Sequence, residues 1–168
     1  MSKKYQLKIY PDAFLREQAL SVENLTGEIN ELLEDMAGLM YEGGAIGLAA
    51  PQVGISQRII MGDIGEGLLS LINPEIVQQS GQDSLEEGCL SLPGIQVEIN
   101  RHHTILVRGI DPKGKDCELG LSGLMARVVQ HEIDHLNGVL IIDYASIVER
   151  FLLTQKLEQV KNKTQILF

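Results

Sequence analysis

Residues 123–138 read GLMARVVQHEIDHLNG, and both the fold and the chemistry of the chain turn on them. Leu124, Val128, His131 and His135 recur at the spacing of one helical face. The pattern predicts a helix over about 123–136 that Asn137-Gly138 stops. Inside it, His131-Glu132-Ile133-Asp134-His135 forms an HExxH pattern. Histidines four apart stand one turn above the other and can grip a single metal ion. Glu132, about 100° around the helix from His131, reaches a water beside such an ion without being a ligand. Leu124 and Val128 share the histidine stripe, so the face aimed at the metal is expected to face the core too. The bland alternative is a pair of packed core histidines.

Outward from this helix the chain carries several strand-like runs in succession: 57–64, 68–73, 75–79, 95–100, 103–110 and 115–121. Asp111-Pro112-Lys113-Gly114 supplies a turn signal between the last two. Upstream, Ile29, Leu32, Leu33, Met36 and Met40 mark a helix from about 27 to 41 that Gly43-Gly44 ends. Downstream, a third helix is expected over about 145–160, with Ile147, Phe151 and Leu152 on overlapping turns. Strands grouped together and flanked by helices predict an α+β fold: antiparallel or mixed sheets around a central HExxH helix, with an N-terminal and a C-terminal helix. No repeat or linker divides the 168 residues, which predicts one domain over 1–168.

Composition narrows the function classes. The net charge is −9 and charged residues make up 22%, an ordinary globular balance that leaves no broad basic surface for nucleic acid. No apolar run reaches the length of a membrane span, and residues 1–12 lack a secretory apolar core. Two cysteines cannot build a disulfide framework, so a reducing, cytoplasmic setting is expected.

A metal held by His131 and His135 needs a third protein ligand, and a catalytic site leaves a further position to water. Candidates are Cys89, Cys117, His102 or His103, and a downstream carboxylate such as Asp143. Cys117, in KDCELGL, reads as a packed strand residue, and His102-His103 as surface residues of a strand. Cys89 stands in EEGCLSLPG, 86–94, where Gly88 and Pro93 frame a tight segment. A Cys-His-His set suits zinc or ferrous iron rather than magnesium or calcium. The stretch AIGLAAPQVG, 45–54, adds small residues that admit a close backbone approach, and an amide at Gln52 that can donate to an oxyanion.

Three segments in order, AIGLAAPQ (45–52), EGCLS (87–91) and QHEIDHL (130–136), resemble the peptide deformylases, whose pattern is GxGLAAxQ, EGCLS and QHExDHL. Tyr-Pro-Asp at 10–12, Ile-Asn-Pro at 72–74 and the Asn137-Gly138 exit agree, so the resemblance spans essentially the whole chain. One departure is Ala45 in place of the first motif glycine, for which a local backbone adjustment is expected; Gly47 is retained. The resemblance implies removal of the N-formyl group from the initiator methionine of new polypeptides. It implies that Cys89, His131 and His135 hold one divalent metal, Fe²⁺ physiologically, with Zn²⁺, Ni²⁺ or Co²⁺ as substitutes. It implies Glu132 as general base and then acid, and the Gln52 amide and Leu90 N–H as oxyanion donors. Ile46, Gly47, Leu85, Leu124 and Val128 are the implied substrate-binding residues.

Two competing readings are an HExxH zinc endopeptidase, whose third ligand lies downstream, and a non-catalytic metal- or peptide-binding homologue. The partners expected from the resemblance are N-formylmethionyl nascent peptides. Residues 149–168 carry Arg150, Lys156, Lys161 and Lys163 against Glu149 and Glu158, a mildly basic tail for a weak ribosome contact or simply a solvated helix face.

Overall fold

In the computed structural model, which describes residues 4–166, the helix predicted over 123–136 is α2, Gly123–Leu136. It sits between two separate antiparallel sheets. The larger has five strands in the order β1-β2-β3-β6-β7: β1 Gly47–Ala49, β2 Ile59–Gly62, β3 Leu69–Ser80, β6 Thr104–Ile110 and β7 Asp116–Ser122. The smaller is a hairpin of β4, Asp83–Gly88, with β5, Gln96–Arg101, paired so that Glu87 lies opposite Val97. Helices α1, Gly27–Glu42, and α3, Ile147–Ile166, flank this centre. The fold is α+β, as expected, and its strand ladders are antiparallel throughout.

The elements follow from burial patterns. In α1 the predicted stripe of Ile29, Leu32, Leu33, Met36 and Met40 is buried, packed with Leu48, Val53, Ile59, Met61 and Ile72. On the opposite side of the sheet Ile60, Leu71, Ile105 and Val107 meet Ala126, Val129 and Leu136 of α2. The hairpin turns Val97 and Ile99 inward against Leu15, Leu92, Leu140, Ile141 and Val160, a third apolar cluster that fastens α3. Gly138, just past α2, has φ +70°, and a side chain there would run into the Arg16 carbonyl, so the helix exit has room for glycine alone.

Several expectations need correction. The runs at 68–73 and 75–79 are one strand, because β3 absorbs Asn73-Pro74 with register shifts between Ile72 and Glu75 and between Ile76 and Gln78. Asn73 takes φ +52°, and its side chain bonds both the N–H (2.8 Å) and the carbonyl (2.9 Å) of Val22. In α3 the residues that marked the overlapping turns, Ile147, Phe151 and Leu152, are exposed; Leu153, Leu157 and Val160 face the body. The helix starts at Ile147 rather than 145 and runs past 160; Leu167 and Phe168 of the basic tail lie outside the described residues. His102 and His103 occupy the turn between β5 and β6 rather than a strand. Among the described residues no helix is long and apolar enough to cross a membrane.

Candidate metal centre and active-site cleft

Cys89 follows directly on β4, and His131 and His135 stand on the adjoining face of α2. Their ligand atoms all lie within 4.8 Å of one another. Cys89 Sγ is 3.3 Å from His135 Nε2, and the two imidazole centroids are 5.1 Å apart. Among the described residues this is the one group of three such side chains close enough to hold an ion. The other candidates are elsewhere. Cys117 Sγ donates to the Gly109 carbonyl in the sheet, and His102 Nδ1 meets the Gly81 carbonyl. Asp143 pairs with Arg16 and caps the Leu140 N–H, so the downstream ligand of the endopeptidase reading is not in place.

The donor set fits a divalent transition metal. A thiolate and two imidazoles at this spacing match the mixed soft and borderline ligands of zinc and ferrous sites. Two buried polar atoms beside them, Glu132 Oε2 and His135 Nδ1, have no hydrogen-bond partner in the protein. Burial, with the charges of His131 and Arg101, pushes the His135 pKa well below its ordinary value, which keeps that imidazole neutral and its lone pair available. His131 moves the other way: burial would lower it, but hydrogen bonds to Cys89 and Glu87 raise it well above the usual range. Its Nδ1 lies 2.9 Å from Glu87 Oε2, the carboxylate–imidazole pairing that orients a metal-binding histidine and leaves Nε2 for the ion.

Glu132 is buried at 4% exposure. Burial drives its pKa up to about 7 against the opposing charges of His131 and Arg101. Gly47 of β1 lies so close that an added Cβ would collide with Glu132 Oε1 and approach Val128 Cγ1 to 2.9 Å. The glycine of the GLAA segment thus clears space for the carboxylate. Ala45 packs against the α1 cluster without a positive φ, so its methyl group meets no left-handed backbone strain.

Gln52, 2% exposed, sits in a short 3-10 turn after β1. Its Oε1 accepts from the Ala49 N–H at 2.9 Å, which turns Nε2 toward Ser91 Oγ (3.2 Å) and Cys89 Sγ (3.5 Å). Leu90 is half-buried beside Cys89. A cavity of about 560 Å³ opens over these groups. Ile46, Gly47, Leu85, Leu90, Leu124, Val128, His131 and Glu132 all line it, so every anticipated pocket residue borders one cleft. Leu124 and Leu85 are about half exposed on its rim. The expectation that Leu124 points into the core is therefore corrected: α2 turns from core to cleft along that stripe.

Sequence reading gave no role to Glu87, Arg101, Arg127 or Asp134. Arg101 donates to both Glu87 oxygens (2.6 and 2.9 Å) and to Asp134 (2.9 Å), and Arg127 adds a 2.7 Å bond to Glu87. Burial alone would raise the Glu87 pKa; the bonds to His131 and Arg101 bring it down to about 2, so it stays ionised. The available signal was a carboxylate two residues before Cys89, together with Arg101 at an inward position of the alternating strand β5 and Arg127 on the histidine face of α2.

A Cys-His-His group beside a buried carboxylate, on an HExxH helix between two antiparallel sheets, is the arrangement of a metallohydrolase. The family model described as polypeptide deformylase matches residues 4–151, and the chain belongs to that family. Curated peptide deformylases agree along nearly their whole length. That of Thermoanaerobacter pseudethanolicus is 47% identical over 161 residues, covering 96% of this chain and 99% of its own. That of Thermodesulfovibrio yellowstonii is 42% identical, covering 93% and 98%. Among solved structures, a peptide deformylase from Legionella pneumophila superposes with a TM-score of 0.89 at 37% identity, covering 96% of this chain and 97% of its own.

Proposed function

We propose that the chain hydrolyses the N-formyl group from the initiator methionine of newly made polypeptides in the cytoplasm, releasing formate. The observation that carries this reading is the convergence of Cys89, His131 and His135 next to a buried Glu132, inside a cleft walled by apolar side chains. Residues 1–168 are read as one catalytic domain. Fe²⁺ is the proposed resident ion, with Zn²⁺, Ni²⁺ and Co²⁺ able to replace it, because the same three donors serve each. When bound, the ion supplies Lewis acidity that makes water nucleophilic at neutral pH.

The protein groups divide the remaining work. Glu132 takes the proton of the attacking water and returns it to the departing amine, as general base and then acid. Gln52 Nε2 and the Leu90 N–H donate to the oxyanion that forms on the formyl oxygen. Each such donor is worth about 3 kcal/mol of barrier. The Ala49 N–H holds the Gln52 amide in the donating orientation before substrate arrives. Gly47 leaves room for Glu132 and for a formyl group whose carbon bears only hydrogen, which favours formyl over bulkier acyl groups. Leu85, Leu124 and Val128 offer apolar walls to the methionine side chain. The mildly basic α3 is read as a weak ribosome contact near emerging substrates.

The test is anaerobic purification, metal analysis and turnover of a formyl-Met peptide. Wild type loaded with Fe²⁺ or Ni²⁺ turns the peptide over, and Glu132→Ala retains the metal while kcat falls on the order of 10²–10⁴-fold. A metal-loaded wild type without turnover overturns the assignment.

A further inference from the structure

We propose that Arg127 is a positioning residue for the metal site: from α2 it grips the hairpin that leads into Cys89, setting the thiol against His131 and His135 and aiming Glu87 at His131. The need for such a grip comes from the topology. The β4–β5 hairpin forms its own sheet and shares no strand ladder with the larger one, so backbone pairing does not place Cys89 relative to α2. Side chains must do so.

Arg127 is 5% exposed and reaches the hairpin at three points. One guanidinium nitrogen donates to Glu87 Oε1 (2.7 Å) and to the Ile99 carbonyl (2.8 Å), and the other to the Asp83 carbonyl (2.5 Å). These acceptors span both strands, and Glu87 lies two residues before Cys89. Arg101 makes a narrower link from β5: its two bonds to Glu87 are internal to the hairpin, and its single bond to Asp134 crosses to α2. Gln130 ties the far end through the His102 backbone, away from the thiol. Two buried guanidinium groups face the Glu87 and Asp134 carboxylates, so losing Arg127 also takes a donor from two carbonyls, Ile99 and Asp83, and from one Glu87 oxygen.

This inference rests on the three-ligand metal site proposed above. The test uses the full-length protein as wild type, Arg127→Lys and Arg127→Met, loaded anaerobically with Co²⁺. Affinity is read by chelator competition, thiolate ligation by the sulfur-to-cobalt charge-transfer band, and fold by thermal denaturation without metal. In Arg127→Met the Co²⁺ dissociation constant rises roughly 10–100-fold and the charge-transfer band weakens, while Arg127→Lys falls between it and wild type. Unchanged affinity and an unchanged band, however far the melting temperature drops, would show a merely structural residue and overturn the inference. If Arg127→Met yields no folded protein, the lysine variant decides by the same two readouts. A wild type lacking the charge-transfer band overturns the three-ligand reading itself, an outcome distinct from any difference among variants.

Discussion

At the scale of single residues, contact distance decides more than residue type. Gly47 is fixed by the carboxylate it faces, whereas Ala45, two positions earlier, stands in place of a motif glycine at no evident cost. Gly47→Ala is therefore expected to push Glu132 aside and lower kcat on the order of 100-fold, the penalty of about an ångström of misplacement at a reacting group. Steady-state kinetics on the formyl peptide would measure it, and a variant with wild-type kcat would refute the steric account. His131, His135 and Glu132 were legible in the sequence because helical spacing is local: four residues on a helix make one turn, whatever surrounds it; Cys89, off the helix, stood out through its EGCLS segment. Glu87 was not. Its partners Arg101, Arg127 and His131 come from other elements, and no local period encodes which carboxylate faces which guanidinium.

At the scale of elements, strongly patterned segments were readable and weakly patterned ones were not. The strand β4, DSLEEG, is mostly polar because one face of the hairpin is solvent, and β1 has only three residues. Asn73-Pro74 reads as a break, yet β3 passes through it. That passage depends on the Asn73 side chain, which gives the Val22 backbone the partners a neighbouring strand would provide. Asn73→Ala removes two hydrogen bonds and places a Cβ without polar compensation at positive φ. A loss of about 2–4 kcal/mol in urea unfolding is expected. Asn73→Gly should recover the backbone share alone, leaving it between alanine and wild type. α3 shows a different failure of pattern reading: apolar residues occupy more than one face, and periodicity does not say which face the body takes.

At the scale of the whole molecule, distant segments are closed by charge and by the metal site. Arg16, from the N-terminal 3-10 turn, reaches Asp143 beyond α2. Burial would raise the Asp143 pKa, but the Arg16 hydrogen bond and the Leu140 N–H hold it below the usual carboxylate range. A carboxyl depressed in the folded state contributes stability above its unfolded pKa and loses it as the pH falls through the folded one. Asp143→Asn should therefore be less stable than wild type at neutral pH, and the difference should shrink toward strongly acidic pH. Chemical denaturation at a series of pH values would show it; a constant difference would assign the effect to packing instead. Removing the metal with a chelator should lower the melting temperature, with restoration on adding Zn²⁺ or Co²⁺. At a free ion concentration 100 times its dissociation constant the gain is about 2.7 kcal/mol.

The separation of the two sheets carries one more consequence. Because Cys89 follows the hairpin and the histidines sit on the helix packed against the larger sheet, an ion bound by all three would join points some 40 residues apart in the chain. It then acts as a removable cross-link. Like a disulfide, it would restrict the conformations of any state in which it stays bound while the two sheets part; unlike one, it can be undone by dilution or by oxidation of a single sulfur. Ion supply would then add to the Arg127, Arg101 and Gln130 contacts that already tie the hairpin to α2, and parting the two sheets would cost more with metal in excess than without it.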